Sequence, residues 1–217
     1  MSVKVGLQYI DIWKESMEEE VRKYEEEPII KGQIVFYGPS NFTRWSKKWN
    51  HIPLREALPG KSGNPCAINR GFGSSCAEHQ LYYYHRLIRP LEPKVLVYTA
   101  FGNYRSFGYT MEETWELAQR VIAYALTDFP GIRIYLTGAQ YRRNNSEEAL
   151  ERFEKINAIL KEFAEKTPNC YFLDVLSYEP LHRTDIFAPD GTHYNQEGYH
   201  LYADFFKQAL KEEFDQF

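Results

Sequence analysis

Two segments far apart in the chain carry side chains that can do chemistry together. Near the C-terminus, Asp190-Gly191-Thr192-His193 sets a carboxylate and an imidazole three positions apart, just before a helical pattern begins. That is a general base with its orienting partner in one short loop. Near the N-terminus, Gln33-Ile34-Val35-Phe36-Tyr37-Gly38-Pro39-Ser40-Asn41 brings a serine to the end of the first apolar strand, where the chain must turn sharply. A serine hydroxyl is a poor nucleophile at neutral pH, so it must hand its proton to a base as it attacks a carbonyl. His193 is the candidate base, since an imidazole with an ordinary pKa of about 6.5 can accept that proton and return it to a leaving alkoxide. Asp190 would hold the ring in the productive tautomer. The oxyanion formed on attack needs donors placed in advance, and three are on offer: the Ser40 N–H, an N–H from Gly71-Phe72-Gly73-Ser74, and the Asn103 carboxamide. Glycines suit the second of these, because a tight turn with positive φ and close main-chain approach to a substrate both favour them.

Strands and helices that alternate along the chain must position these groups. Short apolar runs predict strands at 33–38, 66–69, 94–100, 132–137 and 170–175, and amphipathic stretches predict helices at 76–89, 110–128, 145–166 and 196–214. Such alternation implies a mainly parallel sheet with helices on both faces. Ligands then sit at the carboxyl ends of the strands. Gly38-Pro39-Ser40, Arg70-Gly71-Phe72-Gly73-Ser74 and Phe101-Gly102-Asn103 all fall just after strands, so three loops are expected at one edge. Before the first strand, Ile12, Trp13, Met17, Val21 and Tyr24 recur at helical spacing and predict a helix over 12–27 with a solvated acidic face. Residues 44–65 read as an irregular excursion broken by Pro53, Pro59, Gly60, Gly63 and Pro65.

Composition bounds the function. A chain of 217 residues, 43% hydrophobic and 26% charged, suits one globular domain with a sizeable core. Its 26 Lys and Arg interleave with 30 Asp and Glu for a net charge of −4, leaving no basic stripe for a phosphate backbone, and nucleic acid is not an expected partner. The opening residues Met1-Ser2-Val3-Lys4-Val5-Gly6 lack a charged segment followed by an apolar core, and no apolar run reaches the roughly twenty residues of a membrane span. A soluble, cytoplasmic chain with no membrane partner is expected. Cys66, Cys76 and Cys170 are an odd set at unrelated spacings, as befits thiols in a reducing compartment. The 17 tyrosines belong to a core and its rim more readily than to a sugar-binding cleft, although either placement is open.

From about residue 33 to 206 the sequence resembles the SGNH hydrolases, also called the GDSL esterase/lipase family, whose four blocks supply a serine, a glycine, an asparagine and a histidine. The blocks are Val35-Phe36-Tyr37-Gly38-Pro39-Ser40-Asn41, then Asn69-Arg70-Gly71-Phe72-Gly73-Ser74, then Phe101-Gly102-Asn103, and finally Asp190-Gly191-Thr192-His193-Tyr194-Asn195 followed by Gly198-Tyr199. The resemblance implies a three-layer α/β/α sandwich with a five-stranded parallel sheet of flavodoxin-like topology. It implies ester hydrolysis without metal or organic cofactor, with Ser40 as nucleophile and His193 with Asp190 as base and orienter. The oxyanion hole would draw on Ser40, Gly73, Ser74 and Asn103. Three departures stand out. Pro39 replaces the usual aspartate before the serine, Ser74 holds the position of the usual oxyanion-hole glycine, and Phe101 stands two before Asn103 where a glycine is usual, with Gly102 shifted by one.

Each residue has a plainer alternative. Ser40 and Asp190 are also candidate helix caps, and Asn103 a turn residue. Cys76, His79 and His85 share one predicted helix without a second ligand pair, so core or surface placement is expected over metal. Arg142 and Arg143 follow the fourth strand within reach of an acidic substrate group, though an exposed loop pair is the default. The overall expectation is a single domain over 1–217, with 1–30 a helical extension. It would be a serine esterase cleaving a small acyl ester, acetyl first, of a small molecule such as an acetylated sugar. A lysophospholipase or thioesterase would use the same parts, and an inactive binding protein of the same fold is the rival class.

Overall fold

The computed structural model describes residues 6–217, so the reading of the first five residues lies outside it. Strand β1 (Ile34–Tyr37) is buried along its whole length. Ile34 and Phe36 pack to one side of the sheet, Val35 and Tyr37 to the other, because successive side chains of a strand alternate. A strand apolar on both faces belongs in the middle of a sheet covered twice. β1 lies there, between β2 (Ala67–Asn69) and β3 (Val95–Tyr98), with β4 (Arg133–Thr137) and β5 (Cys170–Leu173) beyond. All pairings are parallel: Ile34 lies opposite both Ala67 and Val95, and Ile134 opposite Leu96 and Cys170.

The strand order β2-β1-β3-β4-β5 makes β1 and β3 neighbours while the chain winds outward from them in both directions. Loops leaving two such strands diverge, and the crevice between them is where this architecture accepts ligands. The expected three-layer sandwich is therefore the observed one. One face is covered by α1 (Lys14–Glu25), α4 (Ala77–Leu87), α5 (Met111–Asp128) and α6 (Glu147–Lys166), which share a buried cluster with Val35, Tyr37, Leu96, Tyr98 and Ile134. The other carries α2 (Ser40–Thr43), α3 (Leu54–Ala57), α7 (Gln196–Ala209) and α8 (Lys211–Phe214), around Phe36, Val97, Trp45, Tyr202 and Phe206.

Helix starts follow local chemistry. Thr110 and Glu113 form a reciprocal capping box at α5, and Ser146 and Asn195 cap α6 and α7 by accepting the N–H groups of Ala149 and Gly198. Two expectations need correction. The stretch 44–65 is not wholly irregular, since it contains α3 and a 3-10 turn at Lys47–Trp49 that tuck Leu54 under α7. The last helix does not run unbroken to 214 but turns at Leu210, where buried Leu210 and Phe214 fold the chain back and bring Glu213 onto the Arg133 guanidinium. α1 buries Met17 and Val21 against the α4 side, with Arg86 bound to Glu18 and Glu25, and contributes nothing to the cleft described below. Among the described residues no helix is long and apolar enough to cross a membrane.

Candidate active site

Gly38 carries the chain out of β1, and its lack of a side chain is required, because a Cβ there would sit 2.9 Å from Thr99 Cβ and 3.0 Å from the Phe42 ring. Pro39 follows in an extended conformation, and Ser40 opens α2. Ser40 is the first residue of that helix rather than its cap, and its hydroxyl turns outward to His193 Nε2 at 2.7 Å. Phe42 anchors α2 in the core. Asn69 at the end of β2 ties the helix down, donating to the Phe42 carbonyl at 2.7 Å while its oxygen accepts the Gly71 N–H at 2.9 Å. Gly71 is bare because α2 lies on it: a Cβ would approach Phe42 Cβ to 2.5 Å and the Thr43 nitrogen to 2.8 Å. The expectation that this loop's glycines supply positive φ is thus corrected, since that conformation falls on Ser74, at φ 59°. Pro39 and Gly102 explain one another. A Cβ on Gly102 would come within 2.3 Å of the Pro39 ring, so a proline before Ser40 goes with a glycine moved to the position that faces it.

His193 comes from a loop closed on itself. Phe187 bridges Tyr194, the Ala188 N–H donates to the His193 carbonyl at 2.7 Å, and Gly191 takes the positive φ (67°) of the turn between them. Asp190 Oδ1 accepts the N–H groups of Thr192 at 2.9 Å and His193 at 3.0 Å, which fixes the carboxylate relative to the ring. Oδ2 then meets His193 Nδ1 at 2.8 Å. Asp190 therefore orients the histidine within a turn and does not cap α7, whose cap is Asn195. The loop is held by Arg143, whose guanidinium donates to the carbonyls of Phe187 and Ala188 and whose N–H donates to that of Gly191. Arg44, one turn after Ser40, donates to Asp190 Oδ2 at 2.8 Å and lies over the Trp49 ring.

Electrostatics favour an ionised carboxylate beside a neutral imidazole. Burial works against charge on Asp190, but the backbone N–H groups of His193 and Thr192 and the His193 ring outweigh it and hold the carboxyl well below the usual range. Burial pushes His193 down from its ordinary value against the pull of Asp190, and the cations Arg44 and Arg142 add to the fall. A group that must be deprotonated to work, with a depressed pKa, keeps its working form on the acid side of its usual value. The acid limb of kcat/KM on a p-nitrophenyl ester is therefore expected to have its midpoint below about 6.5, and Arg44→Gln should move it toward higher pH. A midpoint at or above the ordinary imidazole value in the unaltered protein would contradict this account of the site.

Ser40 and His193 open onto a cavity of about 460 Å³ whose walls include Thr99, Phe101, Asn103, Tyr104, Thr137, Gln140 and Tyr141. Asn103 has left-handed backbone (φ 55°), and its amide donates to the Ser75 carbonyl at 2.9 Å, leaving a second N–H for a ligand. Gly73 and Ser74 do not line the cavity, and Ser74 is exposed. The arrangement pairs a hydroxyl, a neutral imidazole and a carboxylate in line beside a polar cleft, which suffices chemically for acyl transfer.

The remaining candidates separate cleanly. Cys76 and His79 are buried and face each other at 3.2 Å, while His85 is exposed. Among the described residues no group of metal-ligating side chains assembles. Arg143 is the clamp just described, whereas Arg142 lines the cavity. Arg44 and Tyr199, whose hydroxyl donates to the Asn41 carbonyl at 2.9 Å, are contributors that residue-type reasoning passed over. The spacing of Arg44 four residues after Ser40 is the one signal that marks it.

Comparison with known proteins agrees with this fold. No curated protein matches the sequence. Solved structures do: a GDSL-like lipase from Bacteroides thetaiotaomicron VPI-5482 is 18% identical with a TM-score of 0.67, over 95% of this chain and 100% of that one. The acetyl xylan esterase AlAXEase is 19% identical with a TM-score of 0.66, over 82% and 99%. A catalytic mutant of an acetylxylan esterase from Geobacillus stearothermophilus is 12% identical with a TM-score of 0.62, over 84% and 95%. At such identities the likeness speaks for the fold. The model of the GDSL-like lipase/acylhydrolase family matches residues 37–201, which take in Ser40, the second, third and fourth sequence blocks and every group of the cleft, and the chain is a member of that family.

Proposed function

We propose that this chain is a serine esterase that removes a small acyl group, acetyl foremost, from the hydroxyl of a small carbohydrate-like molecule through an acyl-Ser40 intermediate. Ser40 Oγ attacks the ester carbonyl and its proton passes to His193 Nε2. As the tetrahedral adduct collapses, the bond to the alcohol breaks and His193 returns the proton to the leaving oxygen. Water, deprotonated by the same imidazole, then attacks the acyl-serine and frees the acid and Ser40. Asp190 keeps Nδ1 protonated throughout. The Ser40 N–H and the Asn103 carboxamide, both on the cavity wall, stabilise the oxyanion.

The observation that carries this reading is the unbroken relay of 2.7 and 2.8 Å from Ser40 through His193 to Asp190. The small-acyl assignment draws on the activity of two structural neighbours, both acetylxylan esterases, and on a cleft in which Thr99, Thr137, Gln140 and Asn103 interrupt the apolar surface of Phe101, Tyr104, Phe153 and Ile156, so that no wholly apolar groove is offered to a long chain. A fluorophosphonate probe should label the protein but not Ser40→Ala, and acetate should be released from p-nitrophenyl acetate only by the unaltered chain. Absence of both signals would instead favour a binding protein of this fold. Asn103→Ala removes one oxyanion donor and is expected to lower kcat by about 10²–10³ with little change in KM. An unchanged kcat would take Asn103 out of the mechanism.

A further inference from the structure

The charged residues of the cavity wall are one-sided. Arg105, Arg142 and Arg152 line it together with His193, and no Asp or Glu does, although the chain as a whole is acidic. The three arginines come from different elements: Arg105 from the 3-10 turn Tyr104–Phe107 after β3, Arg142 from the loop after β4, and Arg152 from α6. Their meeting is therefore a product of the fold and not the solvated face of one helix. Arg105 and Arg142 make no ion pair among the described residues. Arg152 has only Glu148, at 3.5 Å on the same helix, with that carboxylate 80% exposed. Most other arginines are partnered: Arg86 by Glu18 and Glu25, Arg89 by Asp128, Arg133 by Glu213, and the Arg143 guanidinium by the carbonyls of Phe187 and Ala188.

Gathering like charges costs energy unless something opposite completes them. Arg142 shows the cost. Its side chain reaches solvent at the rim, yet crowding by the protein around its head group, then the charges of Arg152 and Arg105, push it below its ordinary value. A guanidinium fork matches a phosphate or carboxylate in two parallel hydrogen bonds, and three forks around one cavity suit a group with more than one negative charge. Single-sign walls also concentrate such ions at the mouth of a cleft.

We infer that Arg105, Arg142 and Arg152 form a subsite for a phosphate group borne by the alcohol portion of the ester. The inference rests on the esterase reading above, because a small acyl group has no room for the charge and the anion must belong to the part that leaves. The phosphate itself does not react. Hydrolysis releases the carboxylic acid and a phosphorylated alcohol.

Two measurements test the subsite separately from the chemistry. In Ser40→Ala protein, titration with inorganic phosphate should show saturable binding that sulfate competes for and added salt weakens, and Arg142→Gln/Arg152→Gln should weaken it about tenfold or more. Arg142→Lys should fall between, since it keeps the charge but loses the fork. In the unaltered protein, kcat/KM for an acetylated hexose 6-phosphate should exceed that for the same acetylated hexose about tenfold or more, and the ratio should collapse in the double variant. An acetyl ester of a glycerophospholipid, run alongside, decides whether the phosphate belongs to a sugar or to a lipid headgroup. Ser40-dependent turnover indifferent to the phosphate, with no phosphate binding, would overturn the subsite and leave the esterase standing. Phosphate binding that depends on the arginines with no turnover of any ester would do the reverse.

Discussion

His193→Ala is expected to lower kcat on p-nitrophenyl acetate by about 10⁴–10⁶ while leaving KM within a few-fold of the parent value. Ser40 sits 2.7 Å from the one side chain placed to take its proton, and an unassisted hydroxyl attacks an ester only very slowly at neutral pH. What survives the substitution is the scaffold for the oxyanion: α2, Asn69 under it, and Asn103 bonded to Ser75 are all held by contacts that do not involve the imidazole. Residual rate above the uncatalysed reaction should therefore remain. The split between kcat and KM is the informative readout, because a histidine that merely walls the cleft would alter binding more than turnover. The loop itself should stay folded, since its bridge from Phe187 to Tyr194 and the three bonds from Arg143 use backbone atoms. An unaltered thermal melt checks that point. A loss of kcat smaller than about a hundredfold would mean that another group accepts the proton.

How much of this was readable in the chain depends on where the information lies. The five strands are legible because each is a short apolar run bounded by turn residues, and the observed limits fall inside the predicted ones, as with 94–100 against Val95–Tyr98. Asp190 and His193 are legible because their partnership is local, three residues in one turn. The link from Ser40 to His193 spans 153 positions and has no local signature; only the family blocks made it readable. Glycine roles are illegible in the chain for a related reason. Composition shows that a glycine is present, but whether it serves a backbone angle or a close approach depends on what lies against it, and at Gly71 and Gly102 that is α2 and the Pro39 ring. Arg44, Arg105 and Arg152 escaped, and Arg142 stood out only as half of a loop pair with Arg143, because charged side chains carry no periodicity that marks their distant neighbours. In the sequence they are ordinary surface residues, and they acquire meaning only when the segments after β1, β3 and β4 and the start of α6 meet at the carboxyl edge of the sheet, beside the point where the winding of the chain reverses.

Asp190→Asn is the second large effect, and its size follows from hydrogen-bond directions rather than from loss of a contact. In the native loop Oδ1 accepts two backbone N–H groups, from Thr192 and His193, and Oδ2 accepts from His193 Nδ1 and from Arg44. All four partners are donors. An asparagine must keep its oxygen toward the two backbone donors, which are fixed by the turn, and so its NH₂ takes the place of Oδ2. There it faces the imidazole and the Arg44 guanidinium, which is all donor and offers no acceptor. The ring can accommodate an amide donor only by presenting Nδ1 as an acceptor, which puts the proton on Nε2, and a protonated Nε2 cannot take the Ser40 proton. The expected loss is about 10⁴ in kcat at neutral pH with the ring still in place. The loss should shrink as hydroxide replaces the base at higher pH, so the rate of the variant climbs with pH where the parent's is flat. Arg44→Gln in the same background separates orientation from charge: its side-chain carbonyl can accept the asparagine N–H, yet it does nothing to restore the tautomer, so the double variant should be no faster than Asp190→Asn alone. A double variant that regains most of the parent rate would show that the repelled guanidinium, and not the misplaced proton, had been the obstacle.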